Sequence, residues 1–263
     1  MPDLLVEKQD HTTIFTIDRP EKMNSLTRAM SAELIEGIRD FQNDPDQYVA
    51  IVTATGDRAF CAGADLTEMA DNAAAGRRMP VLESTDPMGL ATCEKVTIAA
   101  VNGLAVAGGL EIALSCDIRI ATPEAWFAVP ETQRGIIAGL AVMRLPRLVP
   151  MGIAMDMILS GERLVADRAY DVGLVQAVVP RGHLLDTALA RASNISKLSQ
   201  AAVWGSKKIV SQWRDSLIAE QHRYYQAVIH RVLLTGDVHE GPRAFGEKRA
   251  PVFRNQWPDP FAK

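Results

Sequence analysis

The sequence predicts an α/β core followed by a helical C-terminal portion. Segments with the composition of strands alternate with helical segments as far as about residue 180, and from Gly182 onward nearly every segment has a helical pattern. The length of 263 residues and a hydrophobic fraction of 48% fit one large domain with a sizeable core. We therefore assign residues 1–200 to the core and residues 201–263 to a C-terminal helical region.

The first part of the chain has clear strand and helix signals. Residues 13–17 alternate in polarity and residues 48–53 form a compact apolar run, as is typical of strands. Between them, residues 27–43 carry their apolar side chains near one helical face, and Thr27 is suited to cap the helix N-terminus. Residues 71–92 show no clean period, so we expect a mobile, partly helical excursion there.

The middle of the chain continues this alternation. Residues 97–101, 118–121 and 174–179 are predicted strands, the last of them closed by a proline. Residues 108–116 and 151–160 are predicted helices, and the second is followed by a glycine that suits a helix C-terminus. The sequence shows no internal repeat and no sharp linker between the core and the helical region.

Charge and cysteine content exclude several classes of protein. The net charge of −4 leaves no basic excess for a nucleic acid, although a few local positive charges would suffice for a small phosphate-bearing ligand. Three cysteines form no framework and are expected to be reduced thiols of a cytoplasmic protein. The N-terminus lacks the features of a secretory signal, and no uninterrupted apolar run of about 18 residues predicts a membrane span.

Glu111 follows two glycines at the start of the helix predicted over residues 108–116. Gly108 and Gly109 would let a ligand oxygen approach the first amides of this helix, which lack intrahelical acceptors and favour negative charge. The same glycines could equally serve a tight, well-packed turn. Glu111 lies in an apolar stretch, where an ionised carboxylate is costly unless it is hydrogen-bonded or functional. A structural salt bridge to Arg119 or Arg134 is the alternative.

Glu131 is the second candidate acid. It follows Pro130 at the end of an apolar run, and taken alone it would more often be a charge at a helix N-terminus. The two glutamates together are more informative than either alone. Burial raises carboxyl pKa values, and mutual repulsion separates them, so that one carboxyl can donate a proton while the other accepts one.

A third small-residue turn lies at residues 60–66. It could direct the Ala64 N–H at the same oxygen as the Gly108 N–H, which would stabilise an enolate during proton transfer beside a carbonyl. Asp65 could be a third acid, but we favour it as the cap of a helix that begins at Leu66.

These motifs resemble those of the crotonase superfamily, also called the enoyl-CoA hydratase/isomerase family. The resemblance spans nearly the whole chain and rests on four motifs in order, with a basic C-terminal stretch after them. The motifs are RPEKMNSL at 19–26, AFCAGADL at 59–66, NGLAVAGGLE at 102–111 and FAVPE at 127–131, and the basic stretch is EKR at 247–249.

The resemblance implies a crotonase-like spiral of ββα units, with an acyl-CoA site in the core. It also implies that residues 201–263 form a trimerisation region, giving a homotrimer or a dimer of trimers. The substrate it implies is an acyl-CoA thioester, so CoA enters as part of the substrate, and no metal or other cofactor is needed.

The resemblance also implies roles for individual residues. Ala64 and Gly108 correspond to the two backbone donors of the oxyanion hole, and Glu111 and Glu131 to the acid/base pair. Gly139 corresponds to a position beside the catalytic water. Further residues that are expected along the CoA and substrate path are Lys22, Met23, Ala62, Asp65, Leu66 and Lys248. Lys248 is expected to contact a phosphate, from the same subunit or from a neighbouring one.

The expected reaction is reversible syn hydration of a trans-2-enoyl-CoA to a 3-hydroxyacyl-CoA, with Glu131 as the proton donor to C2. Three alternatives stay open: a double-bond isomerase, a dehydratase or lyase acting on a polar acyl-CoA, and a non-catalytic acyl-CoA-binding protein. Residues 138–147 depart from the family pattern, since Leu140, Val142 and Met143 are bulkier than the usual glycine-rich segment. This departure leaves the shape of the acyl pocket open, and we expect residues 71–92 to contribute to it.

Overall fold

The fold was analysed in a computed structural model, which describes residues 3–75, 88–215, 218–234 and 236–253. Most of the excursion expected over residues 71–92 lies outside these ranges. The strands are β1 (Leu4–Gln9), β2 (Thr12–Ile17), β3 (Val49–Ala54), β4 (Ala59–Cys61), β5 (Val96–Val101), β6 (Leu104–Val106), β7 (Ile118–Ala121), β8 (Trp126–Ala128), β9 (Leu164–Val165) and β10 (Ala177–Val178).

The helices occupy the connections and the C-terminal part. Short 3-10 helices lie at Pro20–Lys22, Pro130–Arg134 and Arg181–His183. The α-helices are α1 (Arg28–Asn43), α2 (Leu66–Ala74), α3 (Gly108–Ser115), α4 (Leu140–Leu148), α5 (Met151–Ser160), α6 (Ala166–Asp171), α7 (Leu184–Ser196), α8 (Gln200–Asp215), α9 (Ile218–Leu233) and α10 (Asp237–Gly246).

The larger sheet has the strand order β1-β2-β3-β5-β7-β10 and is parallel except for the β1–β2 pair. Every residue of β3 and β5 is buried, as expected for central parallel strands covered on both faces. On one face, a row of paired isoleucines (Ile14, Ile51, Ile98 and Ile118) packs in a cluster with α7. The opposite face carries the main hydrophobic core.

The smaller sheet positions the candidate site. Its order is β4-β6-β8-β9, and β4, β6 and β8 run parallel. Because parallel strands end at the same edge of a sheet, the segments that follow β4, β6 and β8 meet there. These segments contain Ala64, Gly108 and Glu131, which the sequence analysis identified from three separate motifs.

The predicted α/β class is confirmed, and so are most of the predicted elements. The Thr27 side chain caps α1 by accepting a hydrogen bond from the Met30 amide at 3.2 Å. The strand predicted over residues 174–179 is wrong in length, since only Ala177–Val178 pairs. The amides of Leu174 and Val175 instead donate to the Ala169 carbonyl at the end of α6.

The C-terminal region is helical as predicted, and its last helix returns to the core. Helix α10 packs against α2 and against the 3-10 helix that carries Glu131. The contact is close, since a Cβ on Gly241 would lie 2.2 Å from the Arg134 carbonyl oxygen. The C-terminal helices of this chain therefore lie beside its own candidate site. None of the helices in the described ranges is long and apolar enough to cross a membrane.

Candidate active site

The close approach of α3 to β4 brings two of the predicted motifs together. A Cβ on Gly109 would lie 2.0 Å from the Cys61 carbonyl oxygen, so a larger residue would push the helix away from the strand. At this spacing, the position of a Cβ built on Gly108 is 3.9 Å from the Ala64 nitrogen. Gly109 therefore allows α3 to pack against β4, and Gly108 places its own backbone close to Ala64.

The Ala64 N–H is free to bind a ligand. The Leu26 amide donates to the Gly63 carbonyl at 2.8 Å, and the Asp65 amide donates to the Leu26 carbonyl at 2.9 Å. These bonds use the groups on either side of Ala64, and the described part of the chain supplies no acceptor for the Ala64 amide itself. Gly63 has a φ of +87°, which allows the chain to turn at this point.

The Gly108 N–H is the second free donor. It belongs to the first residue of α3, whose amide has no intrahelical acceptor, and none is found elsewhere in the described ranges. The preceding Ala107 has φ 53° and ψ −124°, a conformation that is strained for alanine. Because ψ of Ala107 sets the direction of the Gly108 N–H, the strained conformation of Ala107 fixes the orientation of this donor.

Glu111 is buried, with 8% of its surface exposed. Its Oε1 accepts a hydrogen bond from the Ala141 amide at 3.1 Å, at the N-terminus of α4. Burial raises the pKa of the carboxyl, and the amides of Ala141, Leu140 and Gly139 partly offset this by stabilising the ionised form. Gly139, predicted to lie near the catalytic water, is thus beside the Glu111 carboxylate.

The salt bridge considered for Glu111 is absent from the described residues. The Arg119 guanidinium donates to the carbonyls of Leu174, Ala113 and Cys116, with the shortest contact at 2.6 Å. Arg134 lies over the ring of Phe245, 5.2 Å from its centroid. Backbone amides at the start of α4, and not an arginine, donate the hydrogen bonds that the Glu111 carboxylate accepts.

Glu131 has a different environment from Glu111. It lies in the first turn of the 3-10 helix Pro130–Arg134, as a charge at a helix N-terminus would, but its Oε2 is shielded from solvent and has no hydrogen-bond partner among the described residues. Burial, and then the charge of Glu111, raise the pKa of Glu131 to about 8. Burial thus raises the pKa of both carboxyls, and the two differ in that backbone amides stabilise the ionised form of Glu111 whereas Oε2 of Glu131 has no partner in the described ranges.

Tyr225, on α9, was not identified from the sequence. It is buried, and its pKa is raised first by burial and then by the charges of Glu111 and Glu131. Its phenol therefore shares the electrostatic environment of the glutamate pair. The sequence offers no signal for this, because Tyr225 comes from the helical C-terminal region and has no motif around it.

Asp65 stabilises the loop that contains Ala64. Its Oδ1 accepts from the Thr67 and Glu68 amides and so caps α2, as favoured from the sequence. Its Oδ2 accepts from the Arg19 guanidinium at 3.1 Å and from the Ser25 hydroxyl at 3.2 Å. Since both oxygens bind protein groups, Asp65 is a structural residue of the loop, and its contact with the substrate stays a prediction.

The other predicted substrate contacts lie on or near this loop, with one exception. Met23 accepts a hydrogen bond from the Ala62 amide at 3.1 Å, Lys22 is exposed beside it, and Leu66 begins α2. Lys248 is exposed beyond the end of α10. Contacts between these residues and CoA stay predictions.

Asn24 is a loop residue that the sequence reasoning missed. It adopts a left-handed conformation with φ 53°, and its Nδ2 donates to the Ala59 carbonyl at 2.7 Å and to the Thr55 carbonyl at 3.0 Å. These bonds tie the first motif to β4. The MNS sequence within that motif was the available signal, because asparagine tolerates positive φ better than most residues.

Comparisons with known proteins identify the family of this chain. The profile of the enoyl-CoA hydratase/isomerase family matches residues 7–256. A curated (E)-benzylidenesuccinyl-CoA hydratase of Thauera aromatica is 37% identical over 251 residues, which is 95% of this chain and 98% of that protein. A short-chain-enoyl-CoA hydratase of Clostridium acetobutylicum is 36% identical over 94% of this chain and 95% of its own length.

Solved structures give the same result. A carnitinyl-CoA hydratase from Mycobacterium avium superimposes with a TM-score of 0.85 at 34% identity, covering 97% of this chain and 99% of that one. An enoyl-CoA hydratase from Mycobacterium tuberculosis superimposes with a TM-score of 0.78 at 32% identity, covering 89% of this chain and 100% of that one. The predicted crotonase-like fold is confirmed, and the chain belongs to the enoyl-CoA hydratase/isomerase family.

Proposed function

We propose that this protein is an enoyl-CoA hydratase that adds water reversibly to a trans-2-enoyl-CoA, giving a 3-hydroxyacyl-CoA. The observation that carries the proposal is the pair of buried carboxyls with unlike environments, beside two backbone N–H groups that have no acceptor in the described ranges. Adding water across a double bond needs one group to accept a proton and another to donate one. Family members whose names denote hydratases support the same reaction.

The first step assigned to the site is polarisation of the thioester. The carbonyl oxygen would accept hydrogen bonds from the Ala64 and Gly108 amides, and the positive end of the α3 dipole adds to their effect. Electron density then moves from the C2–C3 double bond toward this oxygen, which makes C3 electrophilic. These donors are fixed by the backbone, so they need no reorganisation as the enolate charge develops.

Water addition then uses the two glutamates. Glu111, whose carboxylate form is stabilised by the amides at the start of α4, accepts a proton from a water molecule as the water oxygen bonds to C3. Glu131, protonated at neutral pH, gives its proton to C2 as the enolate collapses. One water has then been added in full, Glu111 carries a proton and Glu131 has lost one, so a proton passing between the pair or through solvent restores the starting state.

We further propose that CoA enters only as part of the substrate, that no added metal or cofactor is required, and that the protein works in the cytoplasm. In the described ranges, no group of three histidine, cysteine or acidic side chains is arranged to hold a metal ion. Activity of protein that has been treated with a chelator and desalted is the direct test. A loss of activity that a divalent metal restores would contradict this part of the proposal.

The assembly that we propose is a homotrimer or a dimer of trimers. Exposed apolar side chains on α5 support it, because Met151, Met155 and Leu159 are 61%, 45% and 64% exposed and lie four residues apart on one helical face. Light scattering on the purified protein measures the mass. A monomer at micromolar concentration would refute this assembly.

The reaction is tested by incubating the protein with crotonyl-CoA and weighing the product. Hydration gives a product heavier by one water, whereas isomerisation of a 3-enoyl-CoA leaves the mass unchanged. The Glu111→Gln variant separates the two reactions further, since an isomerase needs mainly Glu131. Hydration by the wild type that is lost in Glu111→Gln supports the proposal, and isomerisation that survives this substitution contradicts it.

A further inference from the structure

Helix α10 packs against two elements that carry different parts of the candidate site. One is α2, which begins two residues after Ala64, a candidate backbone donor. The other is the 3-10 helix Pro130–Arg134, which has Glu131 in its first turn. Because these two elements come from distant parts of the chain, α10 is placed to set the distance between Ala64 and Glu131.

The contact between α10 and the 3-10 helix is made by backbone against backbone. A Cβ on Gly241 would lie 2.2 Å from the Arg134 carbonyl oxygen and 2.7 Å from its carbonyl carbon. One helical turn earlier in α10, the Asp237 carbonyl oxygen lies 2.8 Å from the position of a Cβ on Gly135. Since no side chain separates the two backbones, a displacement of α10 is passed directly to the 3-10 helix.

Glu131 is linked by hydrogen bonds to the residues that α10 contacts. The Ile136 amide donates to the Glu131 carbonyl at 3.0 Å, and the Gly135 amide donates to the Thr132 carbonyl at 3.2 Å. Gly135 has a φ of +68°, which closes the 3-10 helix in a left-handed conformation. A shift of the backbone at Arg134 and Gly135 therefore moves the backbone of Glu131.

The first residue of the same 3-10 helix is held by the end of α5. A Cβ on Gly161 would lie 3.1 Å from Pro130 Cα. The Gln133 side-chain amide also donates to the Ser160 carbonyl at 3.3 Å. The 3-10 helix is thus held at Pro130 by the end of α5 and at Arg134 by α10, so the placement of Glu131 depends on both contacts.

Glu240, the neighbour of Gly241, ties α10 to the residues that follow it. The side chain is buried, and its Oε1 accepts from the Arg249 guanidinium at 2.5 Å and from the Val252 amide at 2.9 Å. Its Oε2 accepts from Arg243 and from Arg249. Hydrogen bonds from Arg249, then from the Val252 amide and Arg243, hold the pKa of the Glu240 carboxyl well below its usual range. The carboxylate is therefore ionised at neutral pH and anchors the end of α10.

We propose that Gly241 is a positioning residue for Glu131, and that Glu240 holds α10 in the place that this positioning requires. Both residues act through others, Gly241 through the backbone at Arg134 and Glu240 through α10. The proposal rests on the hydratase function, and it adds two residues of the C-terminal region on which the reaction depends.

The test compares wild type with Gly241→Ala and Glu240→Gln in the hydration of crotonyl-CoA. The readouts are kcat and KM taken separately, per folded protein by circular dichroism, and the midpoint of the alkaline fall in rate. Gly246→Ala is the matched control, because it adds the same methyl group to the same helix at a position where a Cβ meets nothing within 4 Å.

Gly241→Ala should lower kcat about 10–10²-fold, since a displacement of about 1 Å can have an effect of this size. KM should change less, because Glu131 is proposed to act in the chemical step. The alkaline midpoint should fall below about 8, because displacing Glu131 weakens the burial and the repulsion by Glu111 that raise its pKa. Glu240→Gln should change kcat and the midpoint in the same direction by less, and Gly246→Ala should match wild type.

Several results would overturn the proposal. Folded Gly241→Ala with the wild-type kcat and midpoint would do so. An equal loss of kcat in Gly246→Ala would do so as well, because the contact at Arg134 would then not be the cause. A loss of rate that only follows the loss of folded protein, with KM and midpoint unchanged, would show that Gly241 serves stability alone.

Failure of the hydratase function gives a different result. If the wild type hydrates no crotonyl-CoA, the function itself is wrong and the positioning proposal is lost with it. Should Gly241→Ala fail to fold by circular dichroism, a wild-type kcat and midpoint in Glu240→Gln alone decides against the proposal.

Discussion

Raising the pH through about 8 should remove the proton that we propose Glu131 donates to C2. Its pKa is raised to about 8 by burial and by the neighbouring charge of Glu111. The acid is active in its protonated form, which predominates below its pKa and is lost as the pH rises through it. The rate of hydration should therefore fall on the alkaline side.

The size of the effect follows from the protonated fraction of the carboxyl. With a pKa of about 8, roughly 90% of Glu131 is protonated at pH 7, about 9% at pH 9 and about 1% at pH 10. With the ordinary glutamate pKa, only about 0.2% to 0.3% would be protonated at pH 7. We expect kcat/KM to be nearly level around pH 7 and to fall about tenfold per pH unit above pH 9.

The assay is hydration of crotonyl-CoA, followed by the loss of the conjugated thioester absorbance in short time courses. Circular dichroism at each pH checks that the protein stays folded. Glu162→Gln is a matched control, because Glu162 is exposed and lies outside the site. This variant should show the wild-type profile.

A profile that stays level to pH 10 would refute this assignment, since the acid would then not be a carboxyl with a pKa near 8. A fall that begins below pH 6 would refute it as well. The coupled pair titrates as a unit, so the measured midpoint belongs to both glutamates together.

Three further predictions concern stability. The folded protein keeps the Glu131 proton up to about pH 8, whereas the unfolded chain releases it near the ordinary glutamate pKa, so the stability present at low pH declines as the pH rises between these two values. Glu131→Gln should therefore raise the Tm at pH 9 by several degrees relative to wild type, with little change at pH 4. An equal change in Tm at both pH values would contradict this. Gly109→Ala places a Cβ against the Cys61 carbonyl, so it should lower the free energy of unfolding in urea titrations by about 1–3 kcal/mol and lower kcat as well. Full activity with an unchanged free energy of unfolding would contradict the packing argument. Asp65→Ala removes the α2 cap and should cost about 0.5–2 kcal/mol in urea titrations, whereas Asp65→Asn should retain part of the cap, and equal losses in both variants would count against capping.

The sequence predicted the parts of the site that are carried by local motifs. The small-residue turns at Ala64 and Gly108 and the two glutamates each follow a strand or begin a helix, and these features can be read from composition. That three of these motifs meet at one edge depends on β4, β6 and β8 forming a separate parallel sheet. These strands are three residues long, too short to give a periodic signal.

Other features depend on tertiary structure or on backbone conformation. Helix α4, whose amides stabilise Glu111, was missed because its sequence contains Pro146 and follows a glycine, a pattern that is typical of a loop. The strained φ of Ala107 has no sequence signal, since alanine seldom adopts it. Tyr225 reaches the site only because the C-terminal helices fold back over the core.

The central claim is that Glu111 and Glu131 act together on one water molecule. It is tested most directly by kcat/KM for crotonyl-CoA hydration in Glu111→Gln, Glu131→Gln and the double variant, with circular dichroism to confirm folding. Each single substitution should lower the rate about 10²–10⁴-fold, and the double variant should be little worse than the more impaired single variant, because groups that act as a unit are not additive. Near-wild-type hydration in either single variant, or losses that multiply in the double variant, would contradict a shared role.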